Sequence, residues 1–181
     1  MKKIILSAVA VMAFGFANAQ EVKFGVKAAL NVASLTGDVE DVSSLVGFQV
    51  GGFAEIKLSE KFAIQPEVLY SAQGAESDGE KFNLNYINIP VLAKYYVAKS
   101  FSLEAGPQIG FLTSAKIEDE DVKDFVSSTD FSFNFGAGYD FTENLSAGVR
   151  YNLGLTNVWD FDGSEDSIKN GVFSVSLGYK F

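Results

Sequence analysis

Apolar and polar residues alternate with a period of two along most of the chain, and eight stretches carry the alternation cleanly enough to predict strands. The first, Val22–Val32, sets Val22, Phe24, Val26, Ala28, Leu30 and Val32 on one face and Lys23, Gly25, Lys27, Ala29 and Asn31 on the other. The second, near Gly47–Leu58, opposes Phe48, Val50 and Ile56 to Gln49, Glu55 and Lys57. The third opposes Phe62, Ile64, Val68 and Tyr70 to Gln65, Glu67 and Ser71. In the fourth, Lys81–Val97, Phe82, Leu84 and Tyr86 share one parity, and Ile87 through Val97 the other. Such a change of parity predicts either a β-bulge or a strand whose upper part leaves the apolar zone. The fifth (Leu103 to Phe111), sixth (Phe131 to Phe141), seventh (Leu145 to Leu155) and eighth (Phe173 to Phe181) repeat the first pattern.

Connections alternate as regularly. Ser59-Glu60-Lys61, Ala98-Lys99-Ser100 and Thr142-Glu143-Asn144 read as tight turns, with longer polar loops near 33–46, 72–80, 113–129 and 158–170. Short turns on one rim and long loops on the other are the pattern of a transmembrane β-barrel. The fold class expected is all-β: an eight-stranded antiparallel up-and-down transmembrane barrel with short periplasmic turns and long outer loops.

A soluble barrel has the same period with the faces exchanged, its aromatics inside and its charges in water. Volume separates the two. An eight-stranded barrel has an interior just wide enough for side chains to fill, and the seventeen Phe and seven Tyr overfill it. The polar face, by contrast, carries small residues such as Gly51, Gly106, Gly136 and Gly148 among its charges. The aromatic face is therefore expected to meet lipid, and a soluble periplasmic lipid-binding barrel is the alternative. Pro66, Pro90 and Pro107 fall within strands of a barrel that offers no free edge, and bulges or rim positions are expected to accommodate them.

Composition narrows the chemistry. The chain has no His and no Cys, which removes the commonest general base, the commonest metal ligand and all thiol chemistry. No enzyme activity and no cofactor are expected. Residues 1–19, with Lys2 and Lys3 before an apolar run and Ala17-Asn18-Ala19, read as a signal peptide cleaved near Ala19. The domain expected after it is 20–181. The net charge of −9 becomes about −11 without Lys2 and Lys3, which speaks against a nucleic-acid partner.

Charge on the inward face predicts a lumen network of Lys27, Glu55, Lys57, Glu67, Lys94, Glu104, Asp140 and Arg150, because buried charges must be paired. In so narrow a barrel the network is expected to plug the lumen. The outer loops are acidic: Asp38, Glu40 and Asp41, then Glu76, Asp78 and Glu80, then Glu118 to Asp124, then Asp160, Asp162, Glu165 and Asp166. Asp160, Asp162 and Glu165 are weak candidates for a divalent-cation site, since DFDG lacks the spacing of a calcium loop. Tyr151 and Trp159 are expected in the outer aromatic girdle.

The stretches KFGVKAALNVASLTG, IQPEVLYSAQG, YINIPVLAKYY and SLGYKF resemble the small outer-membrane β-barrel family common in Bacteroidota, which includes porin-like proteins and the PorT secretion accessory. The resemblance implies outer-membrane lipid and lipopolysaccharide as surroundings, and the outer membrane of a Gram-negative bacterium as location. It also implies that Tyr179 and Phe181 are an assembly signal read by the barrel-assembly machinery, on a strand that closes against the first. The expected role is structural or surface-interactive. An accessory of a secretion or transport machine and a narrow channel for small solutes are the alternatives.

Overall fold

The computed structural model describes residues 21–37, 42–77, 80–117, 120–158 and 168–181. The signal-peptide segment, Trp159 and the candidate ligands Asp160, Asp162 and Glu165 lie outside the described residues.

The described residues form nine strands: β1 Val22–Gly37, β2 Val42–Lys57, β3 Phe62–Ser77, β4 Glu80–Tyr96, β5 Phe101–Ile117, β6 Glu120–Asp121, β7 Thr129–Asp140, β8 Leu145–Gly154 and β9 Ile168–Lys180. β6 is a two-residue return on the tip of β5, pairing Lys116 with Asp121. The other eight form the wall, in the order β4-β3-β2-β1-β9-β8-β7-β5, and β4–β5 pairing closes the ring. All pairings are antiparallel, and β1 meets β9 from Gly25↔Lys180 to Gly37↔Ile168. The protein is thus a closed eight-stranded up-and-down barrel, as the alternation predicts.

Most large apolar side chains of the middle of the strands point outward, while Phe53, Leu69 and Leu92 are buried on the inward face. Phe24, Leu30, Phe48, Phe131, Phe135, Val175 and Leu177 are exposed, Leu30 by 68%. Left in water, a continuous belt of this kind would be far larger than a soluble monomer tolerates, whereas lipid accepts it. Glu55, Glu67, Lys94, Glu104, Arg150 and Lys180 are buried on the inward face. At the turn end, Tyr139 packs on Phe141 at 5.2 Å and Tyr179 on Phe181 at 5.7 Å between ring centroids, forming part of an aromatic rim.

Several strands are longer than the alternation suggests. β1 runs on to Gly37, β2 starts at Val42, and β3 and β5 reach well into the predicted loops. Above the apolar belt the two faces exchange character. On β4, Phe82, Leu84 and Tyr86 are buried while Lys81 is exposed and Asn83 and Asn85 lie partly so. Phe82, Leu84, Tyr86, Leu112, Ala115, Val126 and Val158 pack into one apolar cluster inside the barrel, with Leu35, Ile117 and Val122 against it. β4 therefore keeps one parity throughout, and it is the chemistry that inverts where the wall rises into water. The bulge sits on the neighbour instead: Asn85 pairs Ser114 but Tyr86 pairs Leu112, leaving Thr113 as the extra residue of β5. That extra residue turns Ala115 inward and Lys116 outward.

The prolines are not accommodated by bulges or at rims. Each coincides with a gap in one ladder whose register is the same on both sides. Pairing of β2 with β3 stops at Phe53↔Glu67 and resumes at Ile56↔Ile64, across Pro66. β3–β4 skips from Pro66↔Val91 to Leu69↔Asn88, opposite Pro90. β4–β5 skips from Pro90↔Gln108 to Ala93↔Ala105, at Pro107. Lacking an N–H, each proline drops its ladder bond without moving the strand. The three gaps step across adjacent ladders as an oblique seam.

Candidate functional site

The inward face of the membrane-spanning half carries a continuous ionic network, built because strands bring alternate residues to the same lumen. Glu67 on β3 is its centre. Its Oε1 accepts from Lys27 Nζ and from Gln65 Nε2, each at 2.6 Å. Arg150 on β8 reaches across the barrel and donates to both oxygens, Nη1 to Oε2 at 2.9 Å and Nη2 to Oε1 at 3.0 Å. The same guanidinium holds Glu104 on β5 through Nε, 2.8 Å from Oε1. A Cβ on Gly136 would stand 3.0 Å from Glu104 Oε1 and 2.6 Å from the Val149 carbonyl, so the glycine makes room for the Arg150–Glu104 pair.

A second group lies toward the turn end. Lys94 donates to Glu55 Oε2 at 2.9 Å, and Lys180 lies 3.4 Å from the same oxygen and 3.0 Å from Asp140 Oδ1. Gln65 joins the two groups: its amide nitrogen serves Glu67 while its Oε1 accepts from Lys94 Nζ at 3.1 Å. Aromatic faces complete the cation surroundings. Lys94 Nζ is 5.5 Å from the Tyr96 ring centroid, and Lys27 Nζ is 5.7 Å from that of Phe53. A cavity of about 20 Å³ remains here, bounded among others by Lys27, Glu55, Lys94, Asp140 and Lys180, room for a single water.

Of the residues predicted for the lumen, the structure brings Lys27, Glu55, Glu67, Lys94, Glu104, Asp140 and Arg150 together. Lys57 stands apart at the turn end, 3.8 Å from Glu21 and 5.8 Å from the Tyr96 ring. Glu21 is also bound by Lys23 at 3.1 Å, whose ammonium holds this carboxylate below its ordinary range. Lys180, Gln65 and Tyr96 belong to the network without having been candidates. The inward parity of Lys180 and Gln65 was a usable signal, whereas Tyr96 counts as apolar in any alternation and gave none. Tyr179 and Phe181 project outward at the turn end, exposed, and the Phe181 N–H donates to the Phe24 carbonyl at 2.8 Å. β9 thereby closes on β1 to its last residue.

Above the charges the lumen becomes neutral and hydrogen-bonded. Asn152 Nδ2 donates to Ser132 Oγ at 2.8 Å and to Asn134 Oδ1 at 3.2 Å, and Asn134 Nδ2 donates to Gln108 Oε1 at 3.2 Å. Asn31 Nδ2 donates to Ser71 Oγ at 3.2 Å. Over this layer sits the apolar cluster around Leu84 and Leu112. From turn end to loop end, the filling passes from charged to polar to apolar.

A lipid-facing belt around a polar, side-chain-filled interior defines a small transmembrane barrel of the outer-membrane type. Solved structures of that type share the fold. Neisserial surface protein A superposes with a TM-score of 0.63 at 19% identity, covering 89% of this chain and 99% of the other. Ail, the attachment invasion locus protein of Yersinia pestis, superposes at 0.54 with 14% identity, covering 91% and 99%. Residues 17–160 match the model of the outer membrane protein beta-barrel domain, and the chain belongs to that family. No curated protein matches it in sequence.

Proposed function

We propose that this is a non-enzymatic barrel of the outer membrane with a structural or surface-interaction role, whose lumen is stoppered rather than conducting. The observation that carries the reading is the continuous network from Lys180 through Glu55, Lys94, Gln65 and Glu67 to Arg150 and Glu104. An ion crossing the barrel would have to separate paired charges and then pass the apolar cluster above them, and either step opposes a current. The short turns would face the periplasm, and the acidic loops the medium. There the carboxylates of the loop sequences favour cationic or cation-bridged partners, among them divalent ions shared with lipopolysaccharide phosphates. Ail has been crystallised with a heparin analogue, sucrose octasulfate. A chain carrying loops as acidic as these is ill matched to such a polyanion.

Planar-bilayer recording of the purified protein tests the stopper. Gating-free silence is expected from the wild type, and a steady unitary current from it would replace this reading with that of a narrow channel. Arg150→Ala combined with Glu67→Ala should raise the frequency of brief openings if the network is what blocks the path.

A further inference from the structure

Among the described residues, one buried carboxyl group stands outside the network. The inward ionic cluster contains four carboxylates, Glu55, Glu67, Glu104 and Asp140, and four cations, Lys27, Lys94, Arg150 and Lys180, so it is neutral in itself. Asp130 on β7 is only 6% exposed and sits higher, opposite Gly110 on β5. Every Lys and Arg after residue 20 is among the described residues, and none comes within 4.0 Å of the Asp130 carboxyl. The undescribed segments beyond residue 20 hold only acidic charges, so no part of them can supply the missing cation. An isolated carboxylate in such a place is strongly unfavourable.

The surroundings show what neutralises it. Having no Cβ, Gly110 lets the Asn88 side chain of β4 lie over β5 toward β7. A Cβ there would lie 2.6 Å from Asn88 Oδ1, 3.4 Å from the Tyr86 ring and 3.6 Å from Asp130 Cβ. Asn88 is 1% exposed and its Oδ1 accepts no hydrogen bond. Asn170 on β9, also buried, stands close enough to interact with both Asp130 and the Tyr86 phenol, yet its Nδ2 is outside hydrogen-bond geometry with any acceptor. A carboxylate is all acceptor and would leave Asn88 Oδ1 unsatisfied. A carboxylic acid both donates and accepts. Its O–H matches the orphan oxygen of Asn88, and its carbonyl matches the orphan N–H of Asn170. A metal ion would use Asn88 Oδ1 but would be repelled by an N–H from Asn170. The site is roofed by Tyr86, Leu84 and Leu112 of the apolar cluster.

We infer that Asp130 is a proton-binding site: at neutral pH it carries its proton, shared with Asn88 Oδ1 over Gly110. The titratable group facing it is Tyr86 from β4, neutral in this range; β5 contributes Gly110 and β9 Asn170, both uncharged. The proton keeps the floor of the apolar roof neutral. When it leaves, an unpaired anion is buried there.

Reversible unfolding of the full chain in lipid vesicles, wild type against Asp130→Asn, tests this. Unfolded Asp130 ionises in the ordinary carboxylate range, so the folded state alone retains the proton above about pH 4. The wild-type unfolding constant, taken relative to D130N, should then rise up to about tenfold per pH unit until the folded site deprotonates. Asn88→Ala, which removes the acceptor, should end that rise at lower pH. The infrared difference between wild type and D130N at neutral pH should show the carbonyl stretch of a protonated carboxyl group. A pH-independent ratio with only a carboxylate band would overturn the inference. So would a wild type more stable than D130N in proportion to added sodium or calcium at fixed ionic strength, which would make the site one for a metal ion.

Discussion

Arg150 answers for more of the interior than any other side chain, because one guanidinium satisfies two glutamates from strands on different sides of the lumen. Its planar fork suits this in a way that a lysine would not. Removing one partner of a buried pair leaves an uncompensated charge, so Glu67→Gln is expected to lower stability by about 3–5 kcal/mol, measured by urea unfolding in vesicles. Replacing Glu67, Glu104, Lys27 and Arg150 together by Leu or Met should cost much less, since two acids and two bases leave together and no ion is stranded. A quadruple variant as damaged as Glu67→Gln would show that the network contributes net stability. At this scale the alternation marked the inward charges correctly, and pairing followed from the narrowness of the lumen. What it could not mark was an inward aromatic such as Tyr96, because hydropathy assigns an aromatic ring to lipid whichever way it points. Asp130 escaped for a related reason: its parity is inward, but nothing local says that its opposite neighbour is a glycine instead of a lysine.

Strands show where the periodic reading ends. β1, β2, β3 and β5 were legible only as far as the apolar belt, for above it β5 turns Lys116 outward and Ala115 inward; β4 carries the same reversal at Asn83, Leu84 and Asn85 but was legible down to Lys81 as a change of parity. Period two persists there, but the sign of the pattern is reversed, so a search for outward hydrophobes reads loop. The Thr113 bulge sets the reversed pattern on β5 and is fastened by two bonds. Thr113 Oγ1 donates to the Asn85 carbonyl at 2.9 Å, and Lys123 Nζ donates to the Thr113 carbonyl at 3.2 Å. Deleting Thr113 would remove the extra residue and let Ser114 follow Leu112 in a regular ladder, with Ala115 still inward and Lys116 still outward. Limited digestion is then expected to leave residues 113–128 as protected as in the wild type, and rapid cleavage confined to them would show that the bulge itself holds the upper end of β5. The proline seam gives a further test at this scale. Pro107 faces outward and lacks only its ladder donor, so Pro107→Val should gain about 0.5–1.5 kcal/mol. It should also slow hydrogen exchange around Val91 and Leu92; unchanged exchange there would mean that the gap is set by the strands and not by the proline.

For the molecule as a whole, the decisive property is which face meets lipid, and side-chain volume against lumen size makes it legible in the sequence. The eight-strand count, antiparallel order and closure were equally readable, since tight turns and longer connections alternate along the chain. The folded protein in detergent is expected to migrate differently on a gel before and after boiling, and a single unshifted band would contradict a stable closed barrel. Assembly is a whole-molecule property too. Tyr179→Ala with Phe181→Ala should slow insertion where the assembly machinery is present while leaving the unfolding midpoint of the inserted protein within about 0.5 kcal/mol-equivalent of wild type. A large loss of midpoint with unchanged insertion would make the two aromatics ordinary rim residues.

The exchange of faces along the barrel axis amounts to a waterline drawn in sequence. Below it the wall is insoluble in water and its filling is salt. Above it the wall is hydrophilic and its filling is oil. A barrel with uniform faces can ride higher or lower as the bilayer thickens, but this one carries penalties in both directions. Sinking would drag Lys81 and Lys116 into hydrocarbon, and rising would lift Phe111, Phe131 and Phe173 into water. Its draught in the membrane is therefore fixed, and whatever the acidic loops meet is met at a constant height above the lipid.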